Sequence, residues 1–197
     1  MKKLVVASGN PGKLREIETL LAPLGIEVVP QSTLNIDEAE EPHATFLENA
    51  LAKARHAARA AGLPALADDS GLCVEALGGE PGVYSAYYAG RAGSREQRDA
   101  QNNEKLLLNL KHNRKAYYCC VMVLVNHADD PRPLVAEGLW HGEIARAPRG
   151  ANGFGYDPLF FIAELGKTAA ELDPGQKNRI SHRGKALASL FQKCKEC

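Results

Sequence analysis

The chain has 197 residues, with 24 lysines and arginines against 24 aspartates and glutamates, so its formal net charge at neutral pH is zero. That balance argues against a general nucleic-acid binder or a polybasic membrane-surface protein, both of which draw affinity from a basic excess. Apolar residues make up 45% of the chain, enough for a real core, and at about 150 residues per domain the length suggests one large domain or two lobes around a cleft. No apolar run approaches the roughly 20 residues of a membrane-spanning helix. The apolar stretch after Lys2 and Lys3 is too short for a signal-peptide core, so a soluble cytoplasmic protein is expected. The five cysteines, with Cys119 and Cys120 adjacent in an apolar run, do not read as a disulfide framework. Cys194-x-x-Cys197 at the end of the chain lacks the second ligand pair of a zinc site.

Lys3–Ala7 reads as a buried strand, followed by a turn at Gly9-Asn10-Pro11-Gly12. Over Lys13–Leu24 the apolar residues Leu14, Ile17, Leu20, Leu21 and Leu24 recur with helical period, and Gly25 closes the run. Ile26–Val29 is a second short strand, and Asp37–Glu41 an acidic loop. A capping box, Thr45-x-x-Glu48, opens a helix to Ala61 that ends at Gly62. Leu63–Ala67 reads as an apolar strand running into Asp68-Asp69-Ser70-Gly71, with Leu72–Ala76 again extended. A second capping box, Ser94-x-x-Gln97, starts a helix to about Leu110. Tyr117–Asn126 is the longest β-type run, and Leu134–Ile144 reads as its hairpin partner. Ser181–Lys195 is helical. Early alternation of strands and helices with a late hairpin predicts an α/β fold with a mixed sheet.

Five places carry chemistry. In Ser8-Gly9-Asn10-Pro11-Gly12-Lys13 a strand turns into a helix, where backbone N–H groups and the helix dipole suit a phosphate. Lys13 is the wrong sign for that helix end, and a bound polyanion would explain it. Asp68 and Asp69 stand at the carboxyl end of a strand, where open α/β sheets place ligands. Their mutual repulsion is offset most readily by a metal or a proton, and the acidic loop Glu38-Ala39-Glu40-Glu41 could add a ligand. Asn49, Lys53 and His56 share one face of the second helix. Phe154-Gly155-Tyr156-Asp157 offers ring faces to a planar base and a carboxylate to its edge. Lys177, His182 and Arg183 flank Ser181, a candidate N-cap that would put their donors near an anion or a base carbonyl. For each place the alternative is ordinary structure: a solvated turn or helix face, or aromatics folded back into the core.

As a set these residues resemble the inosine/xanthosine triphosphate pyrophosphatases. The resemblance rests on Ser8-Gly9-Asn10-x-x-Lys13, Thr45-Phe46-x-Glu48-Asn49-Ala50-x-x-Lys53-Ala54, Ala67-Asp68-Asp69-Ser70-Gly71-Leu72, Gly78-Gly79-x-Pro81-Gly82-Val83-Tyr84-Ser85, Gly153-Phe154-Gly155-Tyr156-Asp157-Pro158 and Ser181-His182-Arg183-Gly184, in order along nearly the whole chain. It implies one pyrophosphatase domain spanning residues 1–197, built as two lobes around a long mixed sheet with flanking helices and a cleft. It also implies a Mg²⁺-dependent homodimer that hydrolyses (d)ITP and (d)XTP to the monophosphate and pyrophosphate, cleansing the nucleotide pool. By the matching motifs, Ser8, Asn10, Lys13 and Lys53 would contact the triphosphate, with Ser70 near the substrate. Asp69 would be the general base and a metal ligand together with Glu40 or Glu41 and Asp68. Phe154, Gly155, Tyr156, Asp157, Lys177, His182 and Arg183 would bind the base and sugar side. Tyr87 and Tyr117 stand where the family pattern is usually basic. The rival readings are a pyrophosphatase for modified pyrimidine triphosphates and a non-catalytic nucleotide-binding module.

Charge is segregated behind the neutral total. Residues 36–80 carry nine acids against three bases, and residues 174–197 six bases against one acid, a pattern suited to a metal-bound triphosphate.

Overall fold

A computed structural model describes residues 3–195; Met1, Lys2, Glu196 and Cys197, and with the last the C-x-x-C pair, lie outside the described residues. Seven strands, β1 (Lys3–Ala7), β2 (Glu27–Pro30), β3 (Ala65–Val74), β4 (Lys115–Val125), β5 (Leu134–Ile144), β6 (Phe160–Ile162) and β7 (Lys167–Thr168), form one sheet in the order β2-β1-β3-β4-β5-β6-β7. β1 runs parallel to β2 and β3, whereas β6 is antiparallel to β5 and β7, so the sheet is mixed as expected. The helices are α1 (Pro11–Leu21), α2 (Phe46–Ala61), α3 (Arg95–Asn109), α4 (Pro174–Ile180) and α5 (His182–Lys195).

Local chemistry sets the helix ends. α1 begins two residues earlier than its apolar period suggests, because Asn10 caps it and Pro11 at the first position has no N–H to leave unpaired. It ends in a short 3-10 turn, Ala22–Leu24, where Pro23 cannot donate back along the helix, and Gly25 follows at φ 66°. α2 starts after Thr45, whose side chain accepts from the Glu48 N–H, and stops at Gly62, φ 63°, whose N–H bonds to Ala58 O. Its buried face is mostly alanine, Ala50, Ala54, Ala57 and Ala58, which lets the helix lie close against β1. The Ser94–Gln97 capping box is complete in both directions.

β3 departs from expectation. The apolar segment, the Asp68-Asp69-Ser70-Gly71 stretch and the extended run beyond it are one strand. β1 covers only its first part, in the register Val5↔Ala65, Val6↔Leu66 and Ala7↔Ala67. The two aspartates therefore lie just beyond the carboxyl end of β1 while remaining inside a strand. The elements missed in the sequence, β6, β7 and α4, are two to seven residues long, too short for a period to register.

The chain divides into two compact units. The first comprises Met1–Asp69, Cys120–Gly138 and His182–Cys197, and its core gathers Leu4, Val6, Leu66, Cys120 and Met122 from the strands with Ile17 and Leu21 of α1 and Leu187 of α5. The second comprises Ser70–Cys119 and Leu139–Ser181. There Tyr118, Trp140 and Phe160 pack ring on ring, with centroids 4.7 to 6.3 Å apart, beside Leu72, Leu106 and Tyr156. Burying each such ring contributes about 1.5–3 kcal/mol. Among the described residues no helix is long and apolar enough to cross a membrane.

Candidate active site

The turn after β1 is organised by its own side chains. Asn10 Oδ1 accepts from the N–H groups of Gly12 (2.9 Å) and Lys13 (3.2 Å), and Ser8 Oγ accepts from the Asn10 N–H (3.2 Å). The backbone donors expected to cradle a phosphate are thus largely capped from within. Lys13 pairs with Asp68, whose Oδ2 lies 3.1 Å from Lys13 Nζ.

Successive residues in a strand point to opposite faces, and this separates the two aspartates. Asp68 shares the face of Leu66 and meets α1 and α5. Its Oδ2 accepts from Arg183 Nε (3.3 Å) and Nη2 (3.2 Å) as well as Lys13, with the Cys120 thiol at 3.9 Å. Arg183 also pairs with Glu16 of α1. Burial alone would raise the Asp68 carboxyl, but Lys13 and then Arg183 outweigh it and hold the group well below the usual carboxylate range. Its other oxygen, Oδ1, is buried without a hydrogen-bond partner among the described residues.

Asp69 faces α2. Asn49 Nδ2 donates to its Oδ2 (3.2 Å), and Lys53 Nζ lies 3.4 Å from its Oδ1. Burial dominates here and raises the carboxyl above its usual range; Lys53 and Lys13 oppose the rise, while Glu41 and Asp68 add to it. Lys53 itself is raised: burial would lower it, but Asp69 and then Glu41 outweigh that effect. Two neighbouring carboxyls are thus shifted in opposite directions, Asp68 downward by its cations and Asp69 upward by burial.

The acidic segment before α2 is tied to the same place. Glu41 pairs with Lys53, the Asp37 carbonyl lies 2.9 Å from His56 Nε2, and Asn49 bonds to both backbone groups of His43. The Glu38 carboxylate fills the space above Gly9 that a side chain there would occupy. Glu40 is exposed and makes no hydrogen bond or ion pair with the described residues. Among the described residues no group of three or more His, Cys, Asp or Glu is gathered around a common point, because Lys53 stands between Glu41 and Asp69.

In the second unit the residues expected at the base are joined differently. Asp157 is buried, with Oδ2 accepting from the Phe154 N–H (2.9 Å) and Lys177 Nζ (2.6 Å), and Oδ1 from the Tyr118 hydroxyl (3.4 Å). The carboxylate shapes its own loop instead of facing a base edge. Tyr156 is buried too, its hydroxyl donating to Ser85 O (2.9 Å). Phe154 and Gly155 stay half-buried, and the Phe154 ring has Lys177 Nζ at 4.8 Å and Arg95 Cζ at 5.6 Å from its centroid. Ser70 is half-buried and follows Asp69 in β3. His182, which belongs to the first unit, is buried at the first position of α5. Tyr87, where a basic residue was expected, has the Arg91 guanidinium 4.2 Å above its ring, and Tyr117 tilts against His141 at 5.7 Å.

A family model described as the Ham1 family matches residues 4–193. The chain belongs to the Ham1 family. A relative named dITP/XTP pyrophosphatase from Burkholderia pseudomallei is 63% identical over 98% of this chain and 94% of its own. Another of the same name from Nitrosomonas europaea is 62% identical over 100% of this chain and 96% of its own. Among solved structures, a HAM1 protein from Coxiella burnetii is 48% identical, covers 100% of both chains and superposes with a TM-score of 0.90.

In this Ham1 chain, sequence reasoning left out Glu16 and the bonds of Asn49, and it placed Glu38 in the acidic loop without its approach to Gly9. Asn49 carried a signal, since it falls four residues before Lys53 on the polar face of α2. Glu16 carried none, because it acts on Arg183, which only folding brings near.

Proposed function

We propose that the protein hydrolyses deaminated purine nucleoside triphosphates, (d)ITP and (d)XTP, to the monophosphate and pyrophosphate, as one domain spanning residues 1–197 and as a cytoplasmic homodimer. The observation that carries this reading is the unequal aspartate pair with Lys13 and Lys53 beside it. The activity named for the relatives supports the same substrate class. Asp69, with its carboxyl raised toward the working pH, takes a proton from the attacking water. The water oxygen bonds to the α-phosphorus, the bond from phosphorus to the bridging oxygen breaks, and pyrophosphate departs. Lys13 and Lys53 exchange their carboxylate partners for the oxygens of the triphosphate, aided by Ser8 and Asn10, so that charge developing on the leaving group meets fixed cations. Asp68 keeps its charge throughout, and until the triphosphate takes its place it holds Lys13 at 3.1 Å from its Oδ2.

A divalent cation, for which we propose Mg²⁺, would be held by Asp69 with Glu41 or Glu40 once Lys53 has turned to the triphosphate, while Asp68, on the other face of β3, would add its charge nearby. The Glu41 and Asp69 carboxylates already converge on one cation, the Lys53 ammonium, and the preference of hard cations for carboxylate oxygen supports that fit. When bound, the ion neutralises phosphate charge and acidifies the water. For the base we propose the face of Phe154, the Gly155 backbone, Lys177 and His182, with Ser70 near the substrate; Tyr156 and Asp157 shape the loop. Arg183 acts through Asp68, its guanidinium being engaged there and with Glu16.

The test is pyrophosphate release from dITP, XTP, GTP, dUTP and TTP in the presence of Mg²⁺. Selective hydrolysis of dITP and XTP is expected. Preference for dUTP or TTP would overturn the purine reading, and hydrolysis of none would leave a nucleotide-binding module in its place.

A further inference from the structure

We propose that Asn49 is the positioning residue of the site, aiming the Asp69 carboxylate and fastening the acidic segment to it through a single buried carboxamide. A carboxamide has two N–H donors and one acceptor oxygen, and here all three functions are engaged. Nδ2 donates to Asp69 Oδ2 (3.2 Å) and to the His43 carbonyl (3.2 Å), while Oδ1 accepts from the His43 N–H (3.0 Å). The backbone of Asn49 is itself fixed, its N–H bonding to Thr45 O (3.3 Å) in the first turn of α2, and the residue is only 2% exposed.

The chemistry of the pair explains why an amide serves here. Lys53 marks one oxygen of Asp69 with a cation, and Asn49 marks the other with a neutral donor. A neutral donor restricts rotation of the carboxylate without cancelling the charge a base must keep available. Aspartate at this position would retain the acceptor for His43 but lose both donors and set a second carboxylate against Asp69. Glutamine would be a methylene too long to reach both backbone groups of His43 from the same helix position. By holding His43, the same side chain sets where Glu41 arrives beside Lys53, two residues earlier in the chain.

This role rests on the reading of Asp69 as the base, and the experiment separates the two. Steady-state hydrolysis of dITP with Mg²⁺ is measured for wild type, Asn49→Ala, Asn49→Asp, Asn49→Ser and Asp69→Asn, each corrected for its folded fraction from a urea melt. Asn49→Ala should lose about 10–100-fold in kcat with KM changed by less than about threefold, the loss typical of removing a partner that orients a functional carboxylate. Asn49→Asp, although isosteric and still able to accept from His43, should lose more than Asn49→Ala, and Asn49→Ser, which keeps a donor, should lose least. If Asn49 merely anchors the loop, Asn49→Asp is the milder of the first two, and that order overturns the proposal. So does a kcat within about threefold of wild type in Asn49→Ala. Wild-type activity in Asp69→Asn would remove the base assignment whatever Asn49 does; loss in Asp69→Asn with normal kcat in the Asn49 variants would overturn the positioning role alone.

Discussion

Replacing Arg183 by methionine tests whether this residue serves the protein's own carboxylates or the nucleotide base. Methionine keeps much of the apolar stem and removes the guanidinium, so the perturbation falls on the ion pairs. Arg183 is 1% exposed and holds Asp68 through Nε and Nη2 while pairing with Glu16. Removing one partner of a buried pair costs about 3–5 kcal/mol. The lower end applies, because Asp68 keeps Lys13 at 3.1 Å and the Glu16 side chain retains 13% exposure. At about 2–4 °C per kcal/mol for a chain of this size, the melting temperature should fall by roughly 6–12 °C. Thermal and urea unfolding at pH 7 with a chelator present measure it. The pH dependence carries the sign. Because the folded Asp68 carboxyl is depressed, its contribution is present above the unfolded value of about 4 and is lost as pH falls through the folded value. Arg183→Met raises that folded value, so the gap from wild type should narrow as pH drops from about 5 toward 3. A loss below about 1 kcal/mol, or a gap constant to pH 3, would refute the reasoning. An unchanged melt with a raised KM for dITP would place Arg183 at the base.

Asp69→Asn should abolish turnover, by at least about 100-fold, yet melt at or above wild type in metal-free buffer at pH 7. A carboxyl whose folded pKa is raised contributes stability that is complete below its unfolded value and lost as pH rises, so at neutrality its ionised form is a burden the amide lacks; a clear drop in melting temperature would contradict this. Lys177→Met strands the buried Asp157 carboxylate and should cost about 3–5 kcal/mol in a urea melt, with part regained by adding Asp157→Asn. Gly138→Ala should cost about 1–3 kcal/mol, since the new methyl would meet the His182 carbonyl and the Ala186 nitrogen, backbone atoms that cannot swing aside. Gly9→Ala meets only the flexible end of Glu38 and should cost less than about 1 kcal/mol; equal losses at the two glycines would overturn that contrast.

Much of this molecule was legible before folding because its signals are local. Thr45, Ser94 and Gly62 mark helix ends through bonds to residues three or four positions away, and they stand where expected. The motif residues Lys13, Asp68, Asp69, Lys53, Phe154 and Lys177 were also visible as candidates. Their partners were not. The sequence does not show that Lys13 pairs with Asp68, or that Asp157 closes its own loop through Phe154 and Lys177.

Composition and pattern thus determined the α/β class, the positions of the longer elements and the residue types available for phosphate chemistry. By themselves they rank Asp68 and Asp69 as equals, and only the family resemblance singles out Asp69. The tertiary structure made them different: strand alternation sends one side chain toward α1 and α5 and the other toward α2. Asp68 then meets Arg183, 115 positions away, and Asp69 meets Asn49, 20 positions away. A neutral total charge fixes none of this, since burial and the distance to each cation decide which carboxyl stays ionised.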